Sequence, residues 1–295
     1  MILVAGGTGN LGRCLVQLLL ADGLRVRVLS RDPARAARLG DGVDVVAGDV
    51  RDPGSLLAAM DGVTTVLSAV HGFAGPGGVT PESVDRLGNF NLIAAATAAG
   101  VRRFVLVSIT GASANATIEL FRAKYDAEMR LRGSQLEWTI IRPTAYVETW
   151  AMVMREMLRT TGAVVVFGRG DNPINFVSVT DVAHLIRRAI ADGALRRRSI
   201  DIGGPENMTF NQFASALLAV TRDGGSIRHV PRGVLSLMLR MTRWVKRDVA
   251  RKIEASLVMD TRDMTLDGSD LQREFPDLPL TDVATALRSF VSRKN

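Results

Sequence analysis

Three glycines near the amino terminus have the spacing that phosphate binding requires. The segment GGTGNLG places Gly6, Gly9 and Gly12 between a predicted strand, Ile2–Ala5, and a predicted helix over residues 11–21. The first glycine permits a tight turn, the second lets the backbone approach a pyrophosphate, and the third lets the helix pack closely on the strand. The amide groups and the dipole of the following helix favour phosphate charge. A second strand follows, so the segment predicts a dinucleotide-binding βαβ unit.

The end of the second predicted strand indicates which dinucleotide is bound. An NAD-specific site carries an acidic residue there, whereas this chain has Ser30 and Arg31, and Arg35 follows one helical turn later. Arginine forms charge-assisted contacts with a 2′-phosphate. Asp32 argues for NAD(H), although the Asp-Pro pair is also typical of a helix start. We therefore expect NADP(H), with NAD(H) the less favoured alternative.

The spacing of strands and helices predicts a parallel sheet covered on both faces. Apolar runs predict strands at residues 2–5, 25–29, 43–47, 65–69, 103–108 and 138–142, and helical patterns lie between them at 11–21, 34–39, 53–60, 83–99 and 121–132. This alternation is typical of an α/β protein with a doubly wound, Rossmann-type parallel sheet. After Pro143 the pattern changes to short strands and helices. We expect a cofactor domain over residues 1–145 and a smaller substrate-binding or lid region over 146–295, some of whose segments return to the sheet.

Composition excludes several other classes of protein. The chain has 295 residues, a formal net charge of +7 and a single cysteine, Cys14. It contains no apolar run of transmembrane length and no room for a signal peptide before the first strand, so we expect a cytoplasmic protein. The positive charge is dispersed and no nucleic-acid-binding motif accompanies it, so we expect anionic small molecules rather than nucleic acid. No metal site is predicted.

The motifs together resemble those of the atypical short-chain dehydrogenase/reductase superfamily, and specifically of its NmrA-like branch. They are GGTGNLG, VRVLSR, VAGDVRD, VRRFVLVS, FRAKYDAEMRLRGSQLEWTIIRPTAY and NFVSVTDVA. The later sequence is similar to NmrA-like proteins related to an accessory subunit of mitochondrial complex I. The resemblance implies a Rossmann domain, an NAD(P) cofactor across the strand ends and a variable carboxy-terminal lobe.

The resemblance also implies roles for individual residues. The pyrophosphate would contact Thr8, Gly9, Asn10 and Leu11, and the adenine would be flanked by Asp49 and Val50. The nicotinamide ribose would lie beside Ala69, Val70, His71 and Lys124. Ser108 and Thr110 end the fifth strand, where the superfamily often has a catalytic hydroxyl. Residues 142–146, the RPTAY segment, would form part of the substrate wall.

Several residues around the expected substrate have two interpretations. His71 and Phe73 are candidate substrate contacts, and His71 could orient or protonate the substrate or be a solvent-facing loop residue. Ser108 and Thr110 could bind a substrate oxygen or cap the strand. Lys124 could also be an ordinary surface lysine. Tyr146 and Trp150 could form an apolar substrate wall or pack in the core.

One position departs from the pattern of the family. Catalytic members carry Tyr-x-x-x-Lys, but Leu120 stands four residues before Lys124, and Tyr125 follows the lysine. Adjacent helix residues point about 100° apart, so Tyr125 does not replace the missing tyrosine.

Two functions follow from these observations. The first is an NADPH-dependent reductase acting on a carbonyl or quinone of an apolar or aromatic small molecule, with His71, Thr110 and Lys124 as catalytic candidates. The second is a non-catalytic NADP(H)-sensing regulator or assembly factor that binds a protein partner. The basic, apolar stretch over residues 234–257, which includes Arg240, Arg243, Lys246, Arg247, Arg251 and Lys252, is interpreted as a lid, a membrane-surface helix or a docked helix.

Overall fold

A computed structural model describes residues 1–73, 77–221, 224–242 and 246–292. Within these ranges the chain divides into two compact units. The first comprises residues 1–143 and 182–201, and the second comprises 144–181 and 202–295. Two parts of the sequence discussed above lie outside the described residues. They are Arg243 of the basic stretch and residues 74–76, which follow Phe73.

The first unit contains alternating strands and helices. In chain order they are β1 (Ile2–Ala5), α1 (Asn10–Ala21), β2 (Val26–Ser30), α2 (Pro33–Ala37), β3 (Val43–Ala47), α3 (Leu56–Ala59), β4 (Thr65–Ser68), α4 (Leu87–Ala98), β5 (Arg103–Val107), α5 (Glu119–Arg132) and β6 (Glu137–Pro143). Two of the predicted helices begin with a different geometry, since Pro53–Ser55 forms a 3₁₀ turn and Pro81–Arg86 forms a π-helical segment.

The second unit begins with β7 (Ala145–Tyr146). The remaining elements in chain order are α6 (Val147–Thr161), β8 (Ala163–Phe167), β9 (Pro173–Val177), α7 (Val179–Ala191), a 3₁₀ turn (Gly193–Leu195), β10 (Arg198–Ile202), β11 (Asn207–Thr209), α8 (Phe210–Thr221), β12 (Ser226–Val230), α9 (Arg232–Thr242), α10 (Arg247–Met259), α11 (Ser269–Glu274) and α12 (Val283–Ser292). Most of α7 and β10 belongs to the first unit. The basic stretch over residues 234–257 therefore lies on two helices, α9 and α10.

The predicted Rossmann-type sheet is confirmed. Seven strands lie in the order β10-β6-β5-β4-β1-β2-β3, and the pairings from β3 across to β6 are parallel. The strand order reverses between β1 and β4, which is where open α/β sheets bind ligands beyond the carboxyl ends of their strands.

Continuous apolar sequence explains why the central strands are buried on both faces. All four residues of β1 and all five of β5 are buried. Helix α1 covers the sheet with Leu11, Leu15 and Leu19, which recur every four residues on one face.

The second unit has its own core. A three-stranded sheet, β11-β9-β7, and a two-stranded sheet, β12-β8, contribute to it. Phe176 of β9 packs against Phe210 and Phe213 of α8, with ring centroids 5.8 and 4.7 Å away. Buried Asp181 accepts hydrogen bonds from the amide and hydroxyl of Thr281, which anchors the segment leading into α12. None of the helices in the described part of the chain combines the length and the hydropathy of a membrane span.

Candidate functional site

The glycine loop after β1 is shaped by contacts that exclude side chains. Gly6 has a positive φ of 89°, and a Cβ there would lie 2.5 Å from the carbonyl oxygen of Ala69 at the end of β4. A Cβ on Gly12 would lie 2.2 Å from the carbonyl oxygen of Gly6. Both positions therefore require glycine, for the turn and for the close contact between helix and loop.

The amino terminus of α1 is open to an anion. Gly9 is the N-cap residue, no side chain caps the helix, and its first turn has no acidic residue. Thr8 is half-buried, and Asn10 is exposed, whereas the side chain of Leu11 is buried. The first amide groups and the helix dipole thus favour a phosphate. This cradle fits the pyrophosphate of a dinucleotide.

Two guanidinium groups add positive charge beside the loop. Arg13 Nε donates to the carbonyl oxygen of Thr8 at 3.1 Å, and Arg35 Nη2 approaches the same oxygen at 3.4 Å. Arg13 was not among the residues predicted from the sequence. Its position one turn after Gly9 was the available signal, because residues four apart lie on one helix face.

The acidic residue at the end of β2 caps a helix. The Asp32 carboxylate accepts a hydrogen bond from the Arg35 amide at 3.1 Å and caps α2, with Pro33 at the first helical position. Ser30 Oγ donates to the Asp32 carbonyl and accepts from its amide. Arg31 is exposed. These contacts engage Asp32 in the turn, and the guanidinium of Arg31 is left free to carry positive charge at the strand end.

Asp49 after β3 carries an ion pair of its own. Arg51 binds its carboxylate at 2.6 Å, and this hydrogen bond holds the pKa of Asp49 below its ordinary value. Val50 is buried, and its carbonyl oxygen accepts a hydrogen bond from Asn91 at 2.9 Å. Positive charge therefore accompanies this carboxylate at the strand end.

Lys124 is buried within the first unit. Its Nζ donates to the carbonyl oxygens of Val70 and Val107, both at 2.9 Å, and lies 3.0 Å from Oδ1 of Asp85. An ammonium has three N–H donors, so these three acceptors match its capacity. The lysine therefore joins the ends of β4 and β5 to the π-helical segment.

A buried polar network surrounds Asp85. Its other oxygen, Oδ2, accepts the amide of Gly72 at 2.7 Å, and its carbonyl oxygen accepts from Asn89 Nδ2 at 2.6 Å. Asn89 in turn accepts the hydroxyl of Ser68 at 2.6 Å. Asp85 and Asn89 are fully buried. Sequence reasoning missed both, although polar residues within the apolar pattern of residues 83–99 were a signal.

Ser108 is held by a second buried carboxylate. Its hydroxyl donates to Glu128 Oε1 at 2.5 Å, and Glu128 is also paired with Arg142 of β6. Glu128 lies four residues after Lys124, on the same face of α5. That helix thus presents a cation and an anion to the ends of β5 and β6. Glu128 too was missed.

His71 and Thr110 differ in how their polar groups are used. Thr110 donates its hydroxyl to the carbonyl oxygen of Arg142 at 2.8 Å, which ties down the strand end. The side chain of His71 is 59% exposed, with Nδ1 3.8 Å from Oδ1 of Asp85. Its ring stacks on Phe73, with centroids 6.3 Å apart. The structure therefore brings His71, Asp85 and Lys124 together and leaves the imidazole accessible.

An apolar residue occupies the position of the tyrosine in the Tyr-x-x-x-Lys pattern. Leu120 is buried on α5, and Tyr125 is half-buried. No hydroxyl stands four residues before Lys124.

Comparison with known proteins identifies the family. The profile of the NAD(P)H-binding family matches residues 6–193. The chain belongs to this family. Its recognition as an NmrA-like, atypical short-chain dehydrogenase/reductase is confirmed, as is its nicotinamide dinucleotide cofactor.

Several characterised relatives are similar over most of the chain. An NAD(P)H azoreductase from Xenophilus azovorans is 29% identical, over 78% of this chain and 76% of the relative. A (4-alkanoyl-5-oxo-2,5-dihydrofuran-3-yl)methyl phosphate reductase from Streptomyces griseus is 32% identical, over 75% and 73%. The photosystem II assembly factor Ycf39 from Synechocystis is 26% identical, over 93% and 85%.

The expected similarity to a complex I subunit is also present. The alpha subcomplex subunit 9 of NADH dehydrogenase from Arabidopsis thaliana is 28% identical, over 75% of this NAD(P)H-binding chain and 58% of the subunit. A solved structure of the Escherichia coli NADPH-dependent quinone oxidoreductase QOR2 with NADPH matches with a TM-score of 0.77, at 22% identity and full coverage of both chains. This last likeness shows the fold.

Tyr146 and Trp150, the two aromatic residues predicted to contact substrate, belong to the second unit. Trp150 packs edge-on against Phe210 with centroids 4.7 Å apart. The hydroxyl of Tyr146 is buried and has no hydrogen-bond partner among the described residues. Burial raises the pKa of this phenol, so Tyr146 stays protonated at neutral pH.

Proposed function

We propose that this chain uses NADPH to reduce a carbonyl or quinone group of a small, fairly apolar molecule. Its general class, an NAD(P)H-dependent oxidoreductase, was expected from the sequence and is confirmed by the family and by the reductases among its relatives. The choice of NADPH and of the acceptor group is the proposal.

The observation that carries the proposal is an accessible imidazole beside the glycine loop. Gly6 of the loop packs against Ala69, and His71 follows only two residues later. The loop leads into an uncapped helix terminus that can bind phosphate. Of the three catalytic candidates, His71 is the one whose side chain is exposed. In this proposal the cofactor phosphates and an acid–base group lie at the adjacent ends of β1 and β4.

Bound NADPH would supply a hydride, so the chain itself must bind the acceptor, orient it and supply a proton. In its charged form, His71 can donate a proton from Nε2 to a developing alkoxide or phenolate. Desolvation lowers the pKa of His71 below its ordinary value, although the Asp85 carboxylate, 3.8 Å from Nδ1, opposes that shift, so the charged donor becomes more populated as the pH falls. Phe73, stacked on His71, extends an apolar aromatic surface that suits an aromatic acceptor.

Lys124 and Ser108 are assigned positioning roles. Lys124 fixes the carbonyl of Val70, the residue before His71, and holds Asp85 in place. Ser108 and Glu128 hold the end of β5. Arg31 and Arg35 are assigned to the 2′-phosphate, which is the basis for choosing NADPH over NADH.

Steady-state oxidation of NADPH tests this function. We expect the purified chain to oxidise NADPH in the presence of at least one member of a panel of apolar quinones, aryl ketones, aldehydes and azo compounds. His71→Gln should lower kcat by about tenfold to a hundredfold and flatten the pH profile, because general acid catalysis typically contributes at least that much.

His184→Gln is the matched control for the loss of a histidine. His184 lies on α7, and its removal should leave kcat within about twofold. If no acceptor in the panel raised NADPH oxidation above the rate with oxygen alone, the reductase proposal would be overturned. If His71→Gln left the rate unchanged, the proposed proton donor would be wrong.

A second candidate is an NADP(H)-responsive assembly or regulatory protein. It is favoured by buried Leu120 at the tyrosine position and by the similarity to Ycf39 over most of both chains. This candidate predicts NADPH binding without turnover, together with a protein partner whose capture changes when NADPH is added. The same oxidation assay separates the two functions.

A further inference from the structure

Helix α9 has apolar side chains on two faces. Leu235 is buried, so its side of the helix faces the protein. Val234, Leu237, Met238 and Met241 are instead 45, 58, 41 and 70% exposed. With Val249 of α10, these are five of the ten large apolar side chains exposed among the described residues. The two helices thus concentrate apolar surface that the fold leaves uncovered.

The four exposed side chains of α9 form one stripe. Their spacing of three and four residues places them within an arc of about 100° around the helix axis. Leu235 lies outside this arc, toward the core. We call Val234, Leu237, Met238 and Met241 the α9 stripe. Methionine and leucine at such a surface adapt to irregular apolar surroundings.

Positive charge lies on the same pair of helices as the α9 stripe. Residues 232–242 and 246–259 contain six arginines and lysines and only two acids, Asp248 and Glu254. Arg240, Lys246, Arg247 and Lys252 are exposed, whereas Arg232 and Arg251 are paired with Asp260 and Asp248. Four exposed cations on one helix pair create a positive local potential that extends over about one Debye length, ~8–10 Å.

The exposed cations distinguish two surfaces that could cover the α9 stripe, a second copy of the chain and a lipid bilayer. In a two-fold dimer the same patch would face itself, so the four cations would repel those of a second copy. An anionic bilayer surface offers the opposite charge and an apolar interior at the same place. An interfacial helix with basic flanks and an apolar face binds such a surface without spanning it.

We propose that α9 docks this protein on the surface of an anionic membrane. The α9 stripe inserts among the acyl chains near the headgroups, and the four exposed cations of α9, α10 and the residue before α10 contact anionic headgroups. The occupant is the lipid surface itself. This inference is independent of the proposed reductase activity.

Co-sedimentation with vesicles tests the proposal. The full chain should sediment with phosphatidylglycerol–phosphatidylcholine vesicles and remain in solution with pure phosphatidylcholine. Added salt should weaken binding, because surface attraction is screened. The double variant Leu237→Ser, Met241→Ser should reduce partitioning at least tenfold, and Arg240→Gln, Lys246→Gln should reduce it roughly fivefold for each cation removed.

Matched variants separate specific docking from general surface effects. Leu57→Ser removes a leucine that is 65% exposed on α3, and Arg25→Gln with Arg38→Gln removes two exposed cations elsewhere. Both should bind anionic vesicles like the parent chain. All the changed residues are exposed, so circular dichroism and the melting temperature should be unaltered.

Two results would overturn the proposal. One is absence of sedimentation with anionic vesicles. The other is a concentration-dependent dimer that disappears in the Leu237→Ser, Met241→Ser variant, which would assign the stripe to a second copy of the chain. NADPH oxidation by the same variants should match the parent rate, so that failure of docking and failure of the reductase function are distinguished.

Discussion

Charge is arranged differently at the end of β1 and at the ends of β4 and β5. After β1, the amino terminus of α1 has no side-chain cap and no acidic residue, and Arg13 and Arg35 lie beside the loop. After β4 and β5, Lys124 and Glu128 are buried and bound to groups of the protein itself. The first end can bind an anion, whereas the second end fixes the backbone that carries His71. Binding and positioning are thus separated along one sheet edge.

Removal of the Lys124 ammonium should have the largest effect. Lys124→Met leaves buried Asp85 without its cation, and breaking a buried pair in this way costs about 3–5 kcal/mol. Urea unfolding measures this loss. Lys252→Gln, at an exposed lysine, should change stability by less than about 0.5 kcal/mol. Combining Lys124→Met with Asp85→Asn should cost less than the sum of the single changes, because the two side chains share one interaction.

The opposite outcome would assign Lys124 to the cofactor. A Lys124→Met variant with unchanged stability but weakened NADPH binding would show that the ammonium contacts ligand rather than Asp85. The ends of β4 and β5 would then bind ligand as the end of β1 does, and the proposed separation of binding from positioning would be wrong.

Substitution of Arg31 should change cofactor preference. Hydrogen bonds to charged groups contribute about 1.5–3 kcal/mol, so Arg31→Ala should weaken NADPH binding roughly tenfold to a hundredfold. NADH has no 2′-phosphate, so its Kd should be unaffected. Isothermal titration with each cofactor measures both values. Arg38→Ala provides an exposed arginine control, and equal losses for NADPH and NADH would contradict the assignment of Arg31 to the phosphate.

Features encoded in a few neighbouring residues were predictable from the sequence. The glycine loop, β1 and the Asp-Pro helix start depend on local backbone geometry, and the structure contains each of them. The parallel sheet followed from the alternation of apolar runs with helical patterns.

The partners of the candidate catalytic residues depend on contacts far apart in the sequence. Asp85 meets Lys124 through a π-helical segment that a helical pattern over residues 83–99 does not reveal. Glu128 meets Ser108 and Arg142 only after three elements have packed. Likewise, the sequence left three interpretations of the basic, apolar stretch over residues 234–257, since the exposed face of a helix depends on which face packs.

Asp260 extends the comparison of buried charges to the second unit. Burial alone would raise the pKa of Asp260, but hydrogen bonds from Arg232 and from the amides of Gly170 and Arg169 outweigh burial and lower it. A lowered pKa means that the charged carboxylate stabilises the fold above about pH 4, its unfolded value, and that this contribution is lost as pH falls through the folded value.

Asp260→Asn should therefore destabilise the protein in a pH-dependent way. At pH 7 we expect a loss of about 1.5–3 kcal/mol, since hydrogen bonds to a charged group are removed. The difference from the parent chain should narrow as the pH falls below about 4. Urea midpoints across this range measure the difference, with exposed Asp277→Asn as control. A gap that stayed constant with pH would show that Asp260 contributes by shape rather than by charge.

Substitution of Gly9 isolates the ligand-binding function of the glycine loop from its folding, with the smallest expected effect. Gly9 has a φ of −77°, which alanine adopts readily, and a Cβ there would meet only the Gly6 carbonyl oxygen, at 3.4 Å. The added methyl group otherwise projects into open space at the terminus of α1, where a phosphate must approach.

Gly9→Ala should therefore keep its melting temperature and lose NADPH affinity by about tenfold, ~1.4 kcal/mol. Gly12→Ala should lower the melting temperature as well, because its Cβ would collide with backbone. Gly233→Ala, in open space on α9, should leave NADPH affinity unchanged and should not lower the melting temperature. If Gly9→Ala bound NADPH like the parent chain, the loop would shape the fold without contacting phosphate, and the open helix terminus would no longer distinguish the end of β1 from the ends of β4 and β5.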